Sequence, residues 1–324
     1  MLKQNDYLYC TARIRAMEAS LIGREKLERM LDQPTAAEAM AQVGAAAVTP
    51  AEREAWFADR LAEAYRAVLA MLPAPDAIRF LQYPYDCCNI KAALKCAVRG
   101  IDCASMLVGC STLPIEAYPD MAVRGDFSAL PRRMAAAAEE ARAAFTRTAD
   151  PQQIDLILDR ACYADMGEAA KTAYTAELVR VKADLTNLMI FLRILRMGLT
   201  PANRAMLEAA LLPGGDLPAA VFLEAIRGGT ASLREAVRGS VCEEIFARFD
   251  GEEEPTAAVL ECACDDAFMR RVQAAKYVSF GEEVPVAYLC AWEYAVKNMR
   301  ILCAGKDAGL PNDTIRERMR ACYA

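Results

Sequence analysis

One pattern recurs three times along this chain and narrows its possible folds more than any other feature. Asn89-Ile90-Lys91 is followed by Gly100, Asn187-Leu188-Met189 by Gly198, and Asn298-Met299-Arg300 by Gly309, with 11 residues from Asn to Gly each time. Three residues ahead of each Asn stand Asp86, Asp184 and, breaking the pattern, Ala295; after each Gly comes Ile101, Leu199 or Leu310. A second element keeps step upstream. Thr35-Ala36-Ala37-Glu38-Ala39-Met40, Ser128-Ala129-Leu130-Pro131 and Thr230-Ala231-Ser232-Leu233-Arg234-Glu235-Ala236 begin 54, 59 and 68 residues before their respective Asn. Such self-similarity marks a repeated supersecondary unit. Successive Asn residues are 98 and 111 apart, too far for helical solenoid repeats of about 34–47 residues. The chain therefore divides into three repeat units, residues 1–110, 111–212 and 213–324.

The units are helical. Apolar residues recur at helix spacing in three stripes: Phe57, Leu61, Ala64, Tyr65, Val68 and Leu72; Ile90, Leu94, Ala97, Val98 and Ile101; and Leu185, Leu188, Met189, Leu192, Leu195 and Leu199. Helix-start chemistry falls where the pattern needs it. Thr49-Pro50-Ala51-Glu52 combines a Thr cap, a first-position Pro and a capping-box Glu, and Asp150-Pro151-Gln152-Gln153 repeats the scheme. Thr200-Pro201 and Glu254-Pro255 read as two more helix starts. No period-2 run is bounded by a hairpin turn. The expectation is an all-α chain with one long amphipathic helix per unit, near 51–72, 151–182 and 255–279, followed by a second helix bearing the Asn. Asn and Asp commonly satisfy free N–H groups at a helix start, which places Asn89, Asn187 and Asn298 near helix beginnings. A Gly three turns later suits a left-handed C-terminal cap.

Composition removes several enzyme classes. The chain contains no histidine, which excludes Ser-His-Asp and Cys-His nucleophiles and His-ligated zinc. The net charge of −6 opposes nucleic-acid wrapping. No GxxxxGK[ST] phosphate loop occurs; Gly305-Lys306 lacks both the upstream Gly and the following Ser or Thr. Thirteen cysteines are scattered, the closest groupings being Cys87-Cys88 and Cys262-x-Cys264, neither of them a zinc knuckle. They read as reduced, unligated small hydrophobes. No apolar run reaches the ~20 residues of a membrane span, and Met1 to Asp6 shows no secretory h-region. Asp155 with Asp159, at i and i+4, and Asp265 with Asp266 are the remaining carboxylate pairs that could hold a divalent ion or move a proton. Ordinary charge pairing is the commoner fate of such residues. The late acidic run Asp250, Glu252, Glu253 and Glu254 reads as a solvated loop.

At the level of motifs the chain resembles the C subunit of bacterial and archaeal A/V-type rotary ATPases, the counterpart of the vacuolar ATPase d subunit. The resemblance runs from Tyr9 to Arg320. It rests on Tyr9-x-x-x-Arg13-Ile14-Arg15-Ala16-Met17-Glu18, Tyr85-Asp86-x-x-Asn89-Ile90-Lys91, Ile154-Asp155-x-x-x-Asp159-Arg160, Asp184-x-x-Asn187-Leu188, and the late set Phe280-Gly281, Tyr288, Glu293-Tyr294 and Asn298-Met299-Arg300-Ile301. Ala295 departs from the acidic position of the third unit, and Met189 from the basic position held by Lys91 and Arg300. Both bear on strict equivalence of the units.

The resemblance implies three helical units around a pseudo-threefold axis, forming a funnel on the cytoplasmic face of a membrane rotor ring. It implies a non-catalytic, peripheral subunit without cofactor or small-molecule substrate, which couples ring to central shaft. Arg13, Arg15, Lys91, Arg193 and Arg300 are then candidates for facing a partner, against the simpler expectation that they are salt-bridged internally. A carboxylate-based metal enzyme and an all-α interaction scaffold outside the ATPase are the competing readings.

Overall fold

The computed structural model describes residues 4–46, 48–249 and 256–324. Glu254-Pro255 and the acidic run from Asp250 to Glu254 fall outside them. Every regular element among the described residues is helical. Packing divides the chain into two compact units, one formed by Met1–Pro75 with Glu254–Ala324 and the other by Asp76–Glu253. This division follows packing, whereas the three-part division of the sequence follows repetition, so the boundaries differ.

In chain order the first compact unit begins with α1 (Leu8–Glu18), α2 (Arg24–Leu31), α3 (Ala36–Ala41) and α4 (Pro50–Leu69). The second holds α5 (Arg79–Arg99), α6 (Ala117–Arg124), α7 (Arg132–Thr148), α8 (Gln152–Ala169), α9 (Ala173–Arg196), α10 (Pro201–Ala210), α11 (Ala219–Ala225), α12 (Gly229–Ala236) and α13 (Val241–Ala247). The chain then returns to the first unit with α14 (Ala257–Gln273), α15 (Glu283–Asp307) and α16 (Asn312–Arg318).

The first unit is built on α15, which touches α1, α2, α3, α4, α14 and α16. Its core joins Leu27, Met30 and Leu31 of α2, Met40 of α3, Phe57 of α4, Val296, Met299 and Leu302 of α15, and Ile315 of α16. The start of α4 has the reciprocal cap expected of its sequence: Glu52 N–H donates to Thr49 Oγ1 at 3.2 Å, and Glu52 Oε2 accepts from Thr49 N–H at 2.8 Å. In the second unit α8 is the centre, packed on α5, α7 and α9, with α10, α11 and α13 on α9.

Four sequence expectations need correction or completion. The segment 151–182 is two helices, because the chain turns at residues 170–172 and Thr172 caps α9. Thr256, just past Glu254-Pro255, accepts the Val259 N–H and caps α14. Asn89, Asn187 and Asn298 lie in the middle of α5, α9 and α15, not at their starts. Each helix begins well upstream because apolar residues such as Phe80, Leu178 and Leu289 extend its buried face in that direction. Finally, the stripes on α5 and α9 run out of the core. Ile90, Leu94, Leu185, Leu188 and Leu192 are buried, but Val98, Ile101 and Leu199 are exposed. The glycines behave as expected: Gly100, Gly198 and Gly309 all have positive φ, and Gly100 is the left-handed cap of α5.

Candidate functional site

The buried Asn residues form the most distinctive local structure, and it occurs three times. Asn89 Nδ2 donates to Val108 O at 2.9 Å while Val108 N–H donates to Asn89 Oδ1 at 2.8 Å. Asn187 makes the same two-way pair with Leu212, at 2.9 and 2.8 Å. Asn298 makes it with Arg320, at 3.1 and 2.7 Å. A primary amide presents one acceptor and a donor side by side, so it can stand in for a neighbouring strand and satisfy both backbone groups of one residue. In each case that residue lies in the irregular segment beyond the helix that carries the Asn. The clamp ties the middle of the long helix to the chain that follows it.

Acidic residues reinforce two clamps from the same helix. Asp86 accepts from Thr112 N–H at 2.7 Å, Thr112 Oγ1 at 2.8 Å and Tyr118 Oη at 2.5 Å. Asp184 accepts from the N–H groups of Asp216 and Leu217, both at 3.1 Å. Gly215 makes that approach possible, since a Cβ there would sit 2.0 Å from Asp184 Oδ1. At the third clamp, where Ala295 stands in place of the acid, α14 supplies it: Asp266 accepts from Ala321 N–H at 2.7 Å, one residue past the clamp. Burial raises the pKa of Asp86 against the pull of its hydrogen-bond donors, and pushes Asp184 up to about 6. Asp165 of α8, which accepts the Met134 N–H at the start of α7, is raised for the same reason.

The candidate carboxylate pairs are committed to cations of this chain. Lys95 Nζ contacts both oxygens of Asp155, at 2.6 and 2.8 Å, and Lys91 pairs with Asp159. Burial disfavours the charged form of Lys91, but Cys87 and the Asp159 carboxylate outweigh it and raise its pKa. The neighbours of Asp155 and Asp159 are thus lysines of α5, not Arg160. Asp265 accepts from Arg320 Nε at 2.8 Å and Tyr294 Oη at 3.1 Å and pairs with Lys297. No group of three or more acidic or cysteine side chains able to hold a metal is present among the described residues. The thirteen cysteines are free thiols, all buried except Cys88 and Cys322.

The five basic candidates separate into two kinds. Arg15 bonds to Glu18 and to the carbonyls of Ala275 and Val278, at 2.7 and 3.0 Å. Lys91 is paired as above, and Arg300 pairs with Glu54 at 2.9 Å while lying over the Phe57 ring. Lys91 and Arg300 hold equivalent positions, two residues after the clamp Asn, and reach acids on α8 and α4. Arg13 and Arg193 are exposed and have no partner among the described residues. Sequence reading missed the backbone partners of the three Asn residues, although a polar residue inside an apolar stripe was the available signal. No helix among the described residues is long and apolar enough to cross a membrane.

A family model described as ATP synthase (C/AC39) subunit matches residues 10–318. Among curated relatives, the C subunit of the V-type sodium ATPase of Enterococcus hirae is 22% identical over 322 residues, spanning 96% of this chain and 97% of the relative. The C subunit of the A-type ATP synthase of Thermococcus gammatolerans is 23% identical over 337 residues, spanning 97% of this chain and 90% of the relative.

Proposed function

The chain belongs to the ATP synthase (C/AC39) subunit family, and from that premise we propose that it couples the membrane rotor ring to the central shaft of a V/A-type ATPase. It is an accessory subunit of that complex, not an enzyme by itself. In this reading it sits peripherally on the cytoplasmic side and carries torque for ATP-linked proton or sodium transport, with three repeat units (1–110, 111–212 and 213–324) arranged around the shaft. The observation that carries the reading is kinship across nearly the whole chain combined with a thrice-repeated clamp, in a chain whose candidate metal-binding carboxylates are committed to internal partners.

A coupler needs stiffness, which close-packed helices supply. It also needs charges left over for partners. Arg13 and Arg193 meet that need first, since Arg15, Lys91 and Arg300 already hold internal acids or carbonyls. The test is a membrane pull-down of the tagged chain with identification of what comes with it. Ring and shaft subunits should co-purify, and an Arg13→Glu/Arg193→Glu variant should lower ion transport per ATP while the catalytic head still hydrolyses ATP. Recovery without any ATPase subunit, or full coupling without the chain, refutes the proposal.

A further inference from the structure

Three sulfur-bearing side chains meet where the chain leaves α5. Cys96 stands in the last turns of that helix, and Gly100, with its left-handed φ, reverses the chain so that Ile101 N–H donates to Cys96 O at 3.1 Å. Asp102 then accepts the Ala104 N–H at 3.0 Å and starts a short 3-10 turn, Ala104–Met106, closed by Met106 N–H on Cys103 O at 2.8 Å. Side chains three apart eclipse in such a turn, so Cys103 and Met106 share one face. Both reach Cys96. Cys96 Sγ is 3.8 Å from Met106 Sδ, and the Cys96 and Cys103 thiols form a side-chain hydrogen bond.

Core packing does not account for this arrangement. Cys96 and Cys103 are buried, but Met106 is 54% exposed, so its sulfur meets a buried thiol while more than half of the residue stays in water. Other buried thiols turn to oxygen: Cys242 Sγ donates to Asp184 O at 3.6 Å and Cys262 Sγ to Met319 O at 3.5 Å. Two thiols and a thioether are soft donors, which select Cu(I) over harder ions. Metal–sulfur bonds of about 2.3 Å set three sulfurs around one ion about 4 Å apart in trigonal geometry, close to the separation of Cys96 Sγ and Met106 Sδ. Structural zinc takes four ligands, and no acidic or further cysteine side chain joins Cys96 and Cys103 in such a group among the described residues. We propose that Cys96, Cys103 and Met106 form a three-sulfur site for Cu(I).

On binding, the two thiols release their protons to water and form two copper–thiolate bonds, while Met106 Sδ donates a lone pair. The copper stays Cu(I) and no electron is transferred. Burial, with Cys96 and Asp102 alongside, raises the pKa of the Cys103 thiol, so uptake displaces protons and weakens as pH falls. Val108, the backbone partner of Asn89, follows two residues after Met106. A bound ion would fasten the segment between the end of α5 and that clamp at a second point. This site does not depend on the coupling of ring to shaft.

The test is an anaerobic titration of the reduced full chain with Cu(I) buffered by a chromogenic chelator, which competes copper away from isolated thiols. Wild type should retain one equivalent. X-ray absorption of the loaded protein should show three sulfur neighbours at about 2.3 Å, and hydrogen exchange at residues 101–107 should slow. Cys96→Ser and Cys103→Ser should each lose the retained equivalent. Met106→Leu should bind about tenfold more weakly or worse, and because it changes an exposed residue it decides the matter if a buried serine disturbs folding. The exposed-cysteine control, Cys88→Ser, should bind as wild type. Unchanged affinity in Met106→Leu, or one equivalent retained by both serine variants, overturns the site. So does a wild type that yields all its copper to the chelator, or one from which equimolar zinc displaces it.

Discussion

Replacing Asn298 by Ala isolates one clamp. Its two hydrogen bonds, Nδ2 to Arg320 O at 3.1 Å and Arg320 N–H to Oδ1 at 2.7 Å, are both buried. Truncation leaves a peptide donor and a peptide acceptor without partners, at about 1–3 kcal/mol each. The segment after α16 can shift to admit some water, which trims the sum to about 2–4 kcal/mol, a large part of the stability of a typical domain. Asn298→Asp separates the two bonds. The carboxylate still accepts from Arg320 N–H but offers no proton to Arg320 O, and it adds charge beside Asp265 and Asp266. It should cost as much as Ala at pH 7 and recover partly when protonated. Urea denaturation followed by tryptophan fluorescence reads the effect directly, because Trp56 and Trp292 are the only tryptophans and both belong to the compact unit that holds Asn298. The midpoint should fall with the urea slope unchanged. A loss for Asn298→Ala below about 1 kcal/mol at unchanged slope would refute the clamp as a stabilising device.

Two further outcomes are expected. The folded pKa of Asp184, about 6, lies above its unfolded value of about 3.9. The native state therefore binds the proton more tightly, and this contribution to stability is complete below about pH 4 and is lost as pH rises to about 6. Asp184→Asn should remove that slope, as measured by denaturation midpoints of both proteins from about pH 4 to 7; equal slopes in the two proteins would contradict the assignment. Lys91→Met copies the residue that Met189 places at the equivalent position. The Lys91 side chain is 17% exposed against Asp159, whereas Arg300 is 48% exposed against Glu54. Lys91→Met should cost about 1–2 kcal/mol and Arg300→Met under about 0.5 kcal/mol in the same denaturation assay; the reverse order would show that burial does not set the worth of these pairs.

The all-α class, the helix caps and the glycine turns were legible because each depends on residues close in sequence. Thr49 and Glu52 meet across one helical turn, and Gly100 needs only its own φ. The Asn role was misread for the same reason: local preference puts Asn at helix starts, but here the partner is a backbone segment 19 to 25 residues away, which no local rule supplies. The substitute for the acid missing at Ala295 was invisible for a related cause. Its substitute, Asp266, comes from a different helix, and only the packing of α14 against the segment after α16 brings it to Ala321. For the carboxylate pairs Asp155 with Asp159 and Asp265 with Asp266, charge pairing was the commoner expectation over metal binding, but the partners themselves, Lys91, Lys95, Lys297 and Arg320, lie too far away in sequence to be read from it.

The clamps also explain why a polar residue belongs in the middle of a long buried helix. Helices of 21, 24 and 25 residues packed only by apolar side chains could slide by small steps, because apolar contacts are non-directional. A pair of hydrogen bonds to one backbone residue has a single register, and breaking it inside the protein leaves unpaired groups that cost more than the bonds contribute when made. Two residues further along α5 and α15, Lys91 and Arg300 fix the same helices against their other neighbours, α8 and α4. Each of these helices is thereby held near its midpoint on two sides by directional contacts. In a coupler, sideways load would then pass to adjoining elements without being absorbed in sliding. In α9 Met189 makes no ion pair at the equivalent position, and the directional contact to α8 beside Asn187 is instead the neutral hydroxyl pair of Tyr163 Oη and Thr186 Oγ1, 3.1 Å apart. Loss of the amide at Asn187 should then leave the middle of α9 held by Asp184 and that hydroxyl pair.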